Sequence, residues 1–134
     1  MMSATGYTPK PPRSEPAIRV VMMPRDTNAQ ATIFGGVILS YIDQAAFVEA
    51  RRQAHHKYVT VCMREVAFKE PVFVGDVLSL YAETVRIGHS SMTLRIHVMA
   101  ERSESPGQAV NVTDAEVVFV AIDDAGHPTA IIMT

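Results

Sequence analysis

A single aspartate lies inside the most strongly helical stretch of the chain, seven residues after a pair of glycines. Residues 36–53 read GVILSYIDQAAFVEARRQ, which places Asp43 about two turns into the helix, beyond the reach of an N-cap. Its neighbours one turn away are Leu39, Ala46 and Phe47, so the carboxylate projects from a mainly apolar stripe. Because an unpaired carboxylate is costly to bury, Asp43 either faces water on the thin polar side or lines a cleft, where it can act in proton transfer.

The paired glycines Gly35 and Gly36 stand at the start of this helix, where backbone N–H groups lack intrahelical partners. Those donors, together with the helix dipole, can bind an anion or stabilise a developing oxyanion. A glycine also lets a carbonyl approach the backbone closely, since no Cβ is in the way. Close packing of the helix on a strand explains paired glycines equally well, so both interpretations remain open.

The histidines and the single cysteine form no recognisable metal or nucleophile motif in the sequence. His55 and His56 follow the helix, where the helix dipole favours positive charge, and no third ligand is close in sequence. Cys62 alternates with apolar neighbours in a strand pattern and is expected to pack. We therefore expect no metal site and no separate cofactor.

Composition and charge exclude several classes of function for this chain of 134 residues. A formal net charge of −2 leaves no basic stripe for nucleic acid. No apolar run approaches the roughly 20 residues that span a bilayer, and the first residues lack the apolar core of a secretory signal. One cysteine fits a reducing compartment. We expect a cytoplasmic protein that binds neither nucleic acid nor membrane.

The elements that must position the aspartate and the glycines form an α+β pattern. Residues 1–17 are rich in proline and predict a flexible N-terminal tail, and residues 18–134 predict a single domain. A short strand candidate and a polar loop precede the helix, and four long strand patterns follow it at 58–70, 76–87, 91–102 and 109–123. Since the helix is apolar on most sides, we expect a curved, mostly antiparallel sheet of five to six strands to wrap around it.

Five stretches of this pattern resemble the hot-dog-fold acyl-CoA thioester hydrolases, in particular the short YciA-like group. They occur in the family's order and cover about residues 20–130. The stretches are MPRDTNAQATIFGG, GGVILSYID, FKEPVFVGD, VRIGHSSM and TDAEVVFVAIDDAGHP.

The resemblance implies a hot-dog fold and an assembly with shared active sites. Family members form homodimers whose sheets join edge to edge, and the dimers often assemble as trimers of dimers. In such enzymes an asparagine of the D-x-N loop faces the helix acid of the other subunit. Carried over to this sequence, Asn28 of one chain faces Asp43 of its neighbour, and the N–H of Gly36, with that of Gly35, polarises the thioester carbonyl.

The activity that the resemblance implies is hydrolysis of acyl-CoA to a free acid and CoA, with coenzyme A entering only as part of the substrate. Asp43 either activates a water or attacks the carbonyl itself, and the sequence does not separate these routes. The resemblance implies that Asp43, Asn28 and Gly36 are catalytic residues. It also implies substrate contacts from Phe34 and Gly35 at the helix start, and from Arg86, Gly88, Ser90 and Ser91 near the hairpin of the stretch VRIGHSSM.

Three positions depart from the family pattern. Ala31 stands where the family usually has glycine, Val37 where a bulky residue is common, and Thr129 where a basic residue often occurs. The first matters for the loop because alanine tolerates a positive φ poorly. Two alternative functions stay open: a non-catalytic acyl-CoA-binding domain, and a hydratase or dehydratase acting on acyl thioesters.

Overall fold

The computed structural model describes residues 7–133, which form one helix and one sheet. Within this range the only long helix is not apolar enough to cross a membrane. The elements are β1 (Ile18–Val21), a short 3-10 turn (Pro24–Asp26), α1 (Gly35–Gln53), β2 (Lys57–Phe68), β3 (Val77–Ile87), β4 (Ser91–Glu101) and β5 (Ala109–Ile122).

The sheet confirms the predicted α+β architecture. Its five strands lie in the order β1-β3-β4-β5-β2, and every neighbouring pair is antiparallel. Their ends fall within about two residues of those expected from alternation and turn chemistry. The short separators favour hairpins, so consecutive strands β3, β4 and β5 lie side by side.

The helix α1 packs its apolar face into the sheet. Ile38, Ile42, Ala45, Ala46 and Ala50 are at most 3% exposed. Burying one isoleucine or leucine of this kind stabilises the fold by about 2 kcal/mol, and small alanines let the helix approach the strands closely. The opposing sheet residues, all fully buried, include Leu78, Leu80, Leu94, Ile96, Val98 and Val117.

Strand β2 forms one edge of the sheet and is interrupted twice. The register with β5 shifts between Thr60 and Cys62 and again between Arg64 and Ala67, and Glu65 within the second bulge has a φ of 54°. Among residues 7–133 no strand pairs with the outer side of β2. Val61 is 55% exposed there, so the edge is unusually apolar for a surface strand.

Part of the proline-rich N-terminal segment contacts the end of α1. The backbone N–H of Lys10 donates to Gln53 Oε1 at 2.8 Å, and Arg52 donates to the carbonyl of Pro11 at 2.8 Å. Arg52 also pairs with Glu49, a carboxylate that is only 4% exposed. Residues 1–6 of the predicted tail lie outside the described residues, and the flexibility of the tail stays a prediction.

The loop before the helix retains a left-handed residue although glycine is missing there. Ala31 has a φ of 65°, and its N–H donates to the carbonyl of Asn28 at 3.2 Å. An antiparallel bridge between Thr27 and Ile33 closes the loop. Alanine therefore occupies a conformation that its Cβ disfavours, and the loop keeps its shape at some cost in stability.

Replacing Ala31 with glycine is expected to stabilise the protein by about 1 kcal/mol, because glycine adopts this φ without a Cβ clash. For a domain of this size the change corresponds to a Tm rise of about 4 °C. Ala29 lies in the same loop, has no positive φ and provides the control. Its replacement by glycine raises the conformational entropy of the unfolded chain without relieving strain in the folded one. Equal effects of the two changes in thermal melts would contradict the interpretation that Ala31 is strained by its positive φ.

Candidate active site

The carboxylate of Asp43 is half-buried and lies in a groove between α1 and the sheet. The hydroxyl of Thr60 donates to Asp43 Oδ1 at 2.7 Å, which fixes the orientation of the carboxylate. Among the described residues no group hydrogen-bonds the second oxygen, Oδ2, so this atom stays available. The groove has a volume of about 580 Å³ and is lined by Ile18, Asp43, Gln44, Phe47, Val48, Tyr58, Thr60 and Phe119.

The local structure explains why these side chains converge. Phe47 follows Asp43 by one helical turn and therefore lies on the same face. Tyr58 and Thr60 alternate along β2, and Thr60 pairs directly with Phe119 of β5. The rings of Tyr58 and Phe119 are 5.8 Å apart between centroids. The result is a mainly apolar groove whose polar lining residues are Asp43, Gln44, Tyr58 and Thr60.

Tyr58 is a polar lining residue of this groove whose hydroxyl already has a hydrogen-bond partner. Burial raises the pKa of its phenol to about 12, although the positive charge of Arg51 opposes this shift. Its hydroxyl donates to the carbonyl of Ala54 at 2.8 Å. Tyr58 therefore remains protonated, and its hydroxyl is used in the hydrogen bond to the Ala54 carbonyl. Among the residues that line the groove, Asp43 is the only carboxylate.

The two glycines have different surroundings. A Cβ on Gly35 would lie 3.4 Å from Phe68 Cζ, whereas a Cβ on Gly36 would meet nothing within 4 Å. A Cβ at Gly35 would therefore touch the Phe68 ring at an ordinary van der Waals distance, and packing requires glycine at neither position. No side chain caps the helix start at Phe34, within the part of the chain that the structure describes. The backbone at Gly36 is accordingly open to a ligand.

A second groove of about 310 Å³ lies beside the helix start. It is distinct from the groove at Asp43, since the two share no lining residue. Phe34, predicted to contact substrate, is 52% exposed and is not among its lining residues. The groove is lined by Thr32, Ile33, Gly35, Ile38, Phe68, Lys69, Glu70, Pro71 and Val72.

Asn28 shapes the loop that leads into the helix. Its Oδ1 accepts the N–H groups of Gln30 at 2.9 Å and Thr32 at 3.1 Å, and its Nδ2 donates to the hydroxyl of Thr32 at 2.8 Å. Asn28 is not among the residues that line the groove at Asp43. Within one chain the structure therefore does not bring Asn28 and Asp43 together, and their pairing across subunits stays a prediction.

The four predicted hairpin residues lie together at the β3–β4 turn but line neither groove. The N–H of Gly88 donates to the carbonyl of Ser91 at 2.7 Å, and a Cβ on Gly88 would lie 2.8 Å from Ser91 Oγ. A side chain at this position would displace the Ser91 hydroxyl. Arg86 is exposed, and Ser90 holds β5 through its carbonyl, which accepts the N–H of Ala121 at 2.8 Å.

Sequence reasoning missed Thr60, Tyr58 and Phe119 as groove residues. Alternation along β2 places Tyr58 and Thr60 on one face, and the bulge after Thr60 and the register with β5 decide whether this face lies toward Asp43. That register depends on contacts between segments far apart in the chain, so the sequence pattern alone does not provide it.

Two of the histidines, His56 and His97, contact other groups of the chain. His97 pairs with Asp114 at 2.8 Å, and His56 accepts the N–H of Ile132 at 3.0 Å. Burial opposes ionisation of Asp114, yet hydrogen bonds from Lys69, His97 and Asn111 hold its pKa at about 2. No group of three or more His, Cys, Asp or Glu side chains suited to a metal ion is found within residues 7–133.

Comparison with known proteins identifies the family of this chain. Residues 30–106 match the thioesterase superfamily. The acyl-CoA thioester hydrolase YciA of Escherichia coli is 38% identical over 122 residues, covering 90% of this chain and 92% of that protein. The crystal structure of Cj0915, a hexameric hotdog fold thioesterase of Campylobacter jejuni, superposes with a TM-score of 0.83 at 40% identity, covering 89% of this chain and 91% of that one.

A third relative, HI0827, is described as a hexameric broad specificity acyl-coenzyme A thioesterase. Its structure superposes with a TM-score of 0.82 at 34% identity and covers 98% of this chain and 88% of that one. The hot-dog fold expected from the five sequence stretches is therefore confirmed. By sequence match and by structure, this chain belongs to the thioesterase superfamily.

Proposed function

We propose that this protein hydrolyses the thioester of acyl-CoA to a free carboxylic acid and CoA. The observation that carries the proposal is the Asp43 carboxylate, oriented by Thr60 in the wall of an otherwise mainly apolar groove. Such a groove can hold an acyl chain while the carboxylate meets the thioester carbonyl at its end. Relatives described as acyl-CoA thioester hydrolases support this substrate class.

The chemistry follows from the free oxygen of Asp43. Oδ2 either takes a proton from a water that attacks the carbonyl carbon, or attacks that carbon itself to give an anhydride that water then opens. In both routes a C–O bond forms, the C–S bond breaks, and the electron pair leaves with the CoA thiolate. Because a thiolate is a good leaving group, a strong general acid is not needed. After it has left, the CoA thiolate can take up the proton that the attacking water gave up.

The negative charge that develops on the carbonyl oxygen requires hydrogen-bond donors. We propose that the N–H of Gly36 supplies one of them, since this residue is exposed and has open space where a Cβ would lie. Gly35 lines the groove at the helix start beside the ring of Phe68. Arg86, Ser90 and Ser91 are proposed to contact the CoA phosphates near the hairpin, where Gly88 shapes the turn.

A complete site requires a second subunit in this proposal. The apolar, unpaired edge of β2 suits edge-to-edge pairing with another copy of the chain, which would satisfy its backbone groups. Pairing there brings a neighbour close to Thr60 and hence to Asp43. We propose a homodimer with shared sites, assembled as a trimer of dimers. Two of the relatives compared above are described as hexameric.

The decisive test measures thiol release from acyl-CoAs of graded chain length, with identification of the acid product. Release of CoA and the matching acid supports the hydrolase. Tight CoA binding without release of thiol from any substrate would favour an acyl-CoA-binding domain. Addition of water to an enoyl-CoA without cleavage would favour a hydratase. The cytoplasmic location expected from the sequence stays a prediction.

Replacing Gly36 with alanine separates the ligand-binding interpretation of this glycine from the packing interpretation. The added methyl group has open space, so the free energy of unfolding should stay unchanged or rise by up to about 1 kcal/mol. The same methyl group would hold the carbonyl away from the backbone donor, and kcat/KM should fall about tenfold or more. Thermal melts and thioesterase kinetics measure the two effects. Wild-type turnover would show that the carbonyl does not approach Gly36.

A further inference from the structure

The carboxamide of Asn28 is held in one orientation by its own loop. Its Oδ1 accepts two backbone N–H groups, those of Gln30 and Thr32, at 2.9 and 3.1 Å. A backbone N–H can only donate, so the oxygen of the carboxamide must face these two groups. The amide nitrogen consequently lies on the other side, where it donates to Thr32 Oγ1 at 2.8 Å.

This arrangement leaves Asn28 with one unused hydrogen-bonding group. Both lone pairs of Oδ1 have donors, and one of the two amide protons is given to Thr32. Among the described residues nothing accepts the second amide proton. Toward any ligand Asn28 can therefore act as a donor and not as an acceptor.

Thr32 makes two of the three hydrogen bonds that hold the Asn28 carboxamide. Its backbone N–H binds the amide oxygen and its hydroxyl binds the amide nitrogen, so one residue holds both ends of the carboxamide. Thr32 is half-buried and lines the groove at the helix start, next to Gly35. Thr32 thus connects the Asn28 loop to the groove at the helix start, which is separate from the groove at Asp43 of the same chain.

We propose that Thr32 is a positioning residue of the thioesterase, one that acts through Asn28. Its hydroxyl fixes the carboxamide so that the second N–H is presented as a donor to the thioester carbonyl. This inference rests on the proposed function, in which Asn28 contributes to the reaction. A donor held in place before substrate arrives does not have to be ordered during the reaction, which is the condition for effective stabilisation of an oxyanion.

The variant that isolates this role is Thr32→Val, which removes the hydroxyl and keeps the shape and the backbone N–H. Because both bonds to Oδ1 remain, we expect the loop to keep its fold. Losing one neutral hydrogen bond to the amide nitrogen should lower kcat about tenfold, with KM within about twofold of the wild type. Thr32→Ser retains the hydroxyl and should retain most of the kcat.

Two further variants separate positioning from other roles. Thr27→Val removes a hydroxyl of the same loop that donates to the Pro24 carbonyl and not to Asn28, and it should leave kcat unchanged. Asn28→Ser keeps an oxygen acceptor for the loop but lacks the amide N–H. In that background Thr32→Val should cause no further loss of kcat, because the residue through which it acts is gone.

The outcomes distinguish failure of this inference from failure of the proposed function. Wild-type activity of Asn28→Ser would remove Asn28 from the reaction. A large loss in Asn28→Ser with no loss in Thr32→Val would overturn the positioning role alone. An additional loss from Thr32→Val in the Asn28→Ser background would show that Thr32 acts independently. A decrease in kcat that merely follows a decrease in folded protein, measured by circular dichroism, would make Thr32 a structural residue.

Discussion

Replacing Asp43 with asparagine is expected to lower kcat for acyl-CoA hydrolysis by about a thousandfold, the middle of the range for loss of a general base or nucleophile. The substitution is isosteric, and the Thr60 hydroxyl can still donate to the amide oxygen. The fold and the groove should therefore persist, and KM should change little. Initial rates of thiol release across several acyl-CoAs, together with thermal melts, measure both quantities.

The control for this substitution is Asp124→Asn, which removes a carboxylate that is 96% exposed at its side chain and paired with Lys57. An exposed pair of this kind contributes little to stability and lies outside the groove, so activity should be unchanged. Turnover by Asp43→Asn at the wild-type rate would exclude the aspartate as base and nucleophile. Loss of thermal stability in that variant would show that the Thr60 contact is chiefly structural.

Mixing two inactive variants is expected to restore activity if the site is shared between subunits. Asp43→Asn and Asn28→Ser each impair both sites of a homodimer. In a mixed dimer one site combines the intact Asn28 of the first chain with the intact Asp43 of the second. Random association of equal amounts should therefore recover about a quarter of the wild-type activity, from a background near zero. Serine is chosen at position 28 because the loop needs an acceptor there.

The mixture must be formed by co-expression or by joint refolding, so that subunits exchange. Simple mixing of the folded variants, without exchange, is the control and should remain inactive. If co-expressed subunits show only the sum of the two residual activities, each site lies within one chain. Because the prediction concerns dimers, it holds equally if three dimers assemble into a hexamer.

The fold could be predicted closely because its signals are local. The helix expected at 36–53 runs from Gly35 to Gln53, since apolar spacing and the glycines define its limits. The four long strands end at proline and glycine turns that are legible in sequence. Ala31 was suspected from the family pattern, and its positive φ shows that the loop retains the conformation that glycine would favour.

The site could be predicted only in part, since its contacts join distant segments. Asp43 was recognisable as a carboxylate in an apolar stripe, but its partner Thr60 depends on the register of an edge strand with a bulge. Gly35 and Gly36 are indistinguishable in sequence, and only the structure shows that Gly35 lies beside the ring of Phe68, more than thirty residues away, while Gly36 has open space. Asn28 was expected to serve catalysis, yet most of its hydrogen bonds build its own loop.

Strand β2 supplies the hydroxyl that orients Asp43 and also the open edge at which another chain would pair. In the proposed dimer, association and substrate binding are therefore thermodynamically linked, because both act on the same strand. If the dimer binds a ligand more tightly than the monomer does, the ligand in turn strengthens the association of the subunits, because the two equilibria are linked reciprocally. An isolated monomer would keep the Thr60 contact of Asp43 but would lack the Asn28 of a second chain. Unassembled chains would consequently not hydrolyse acyl-CoA. Hydrolysis would begin only at subunit concentrations that are high enough for assembly.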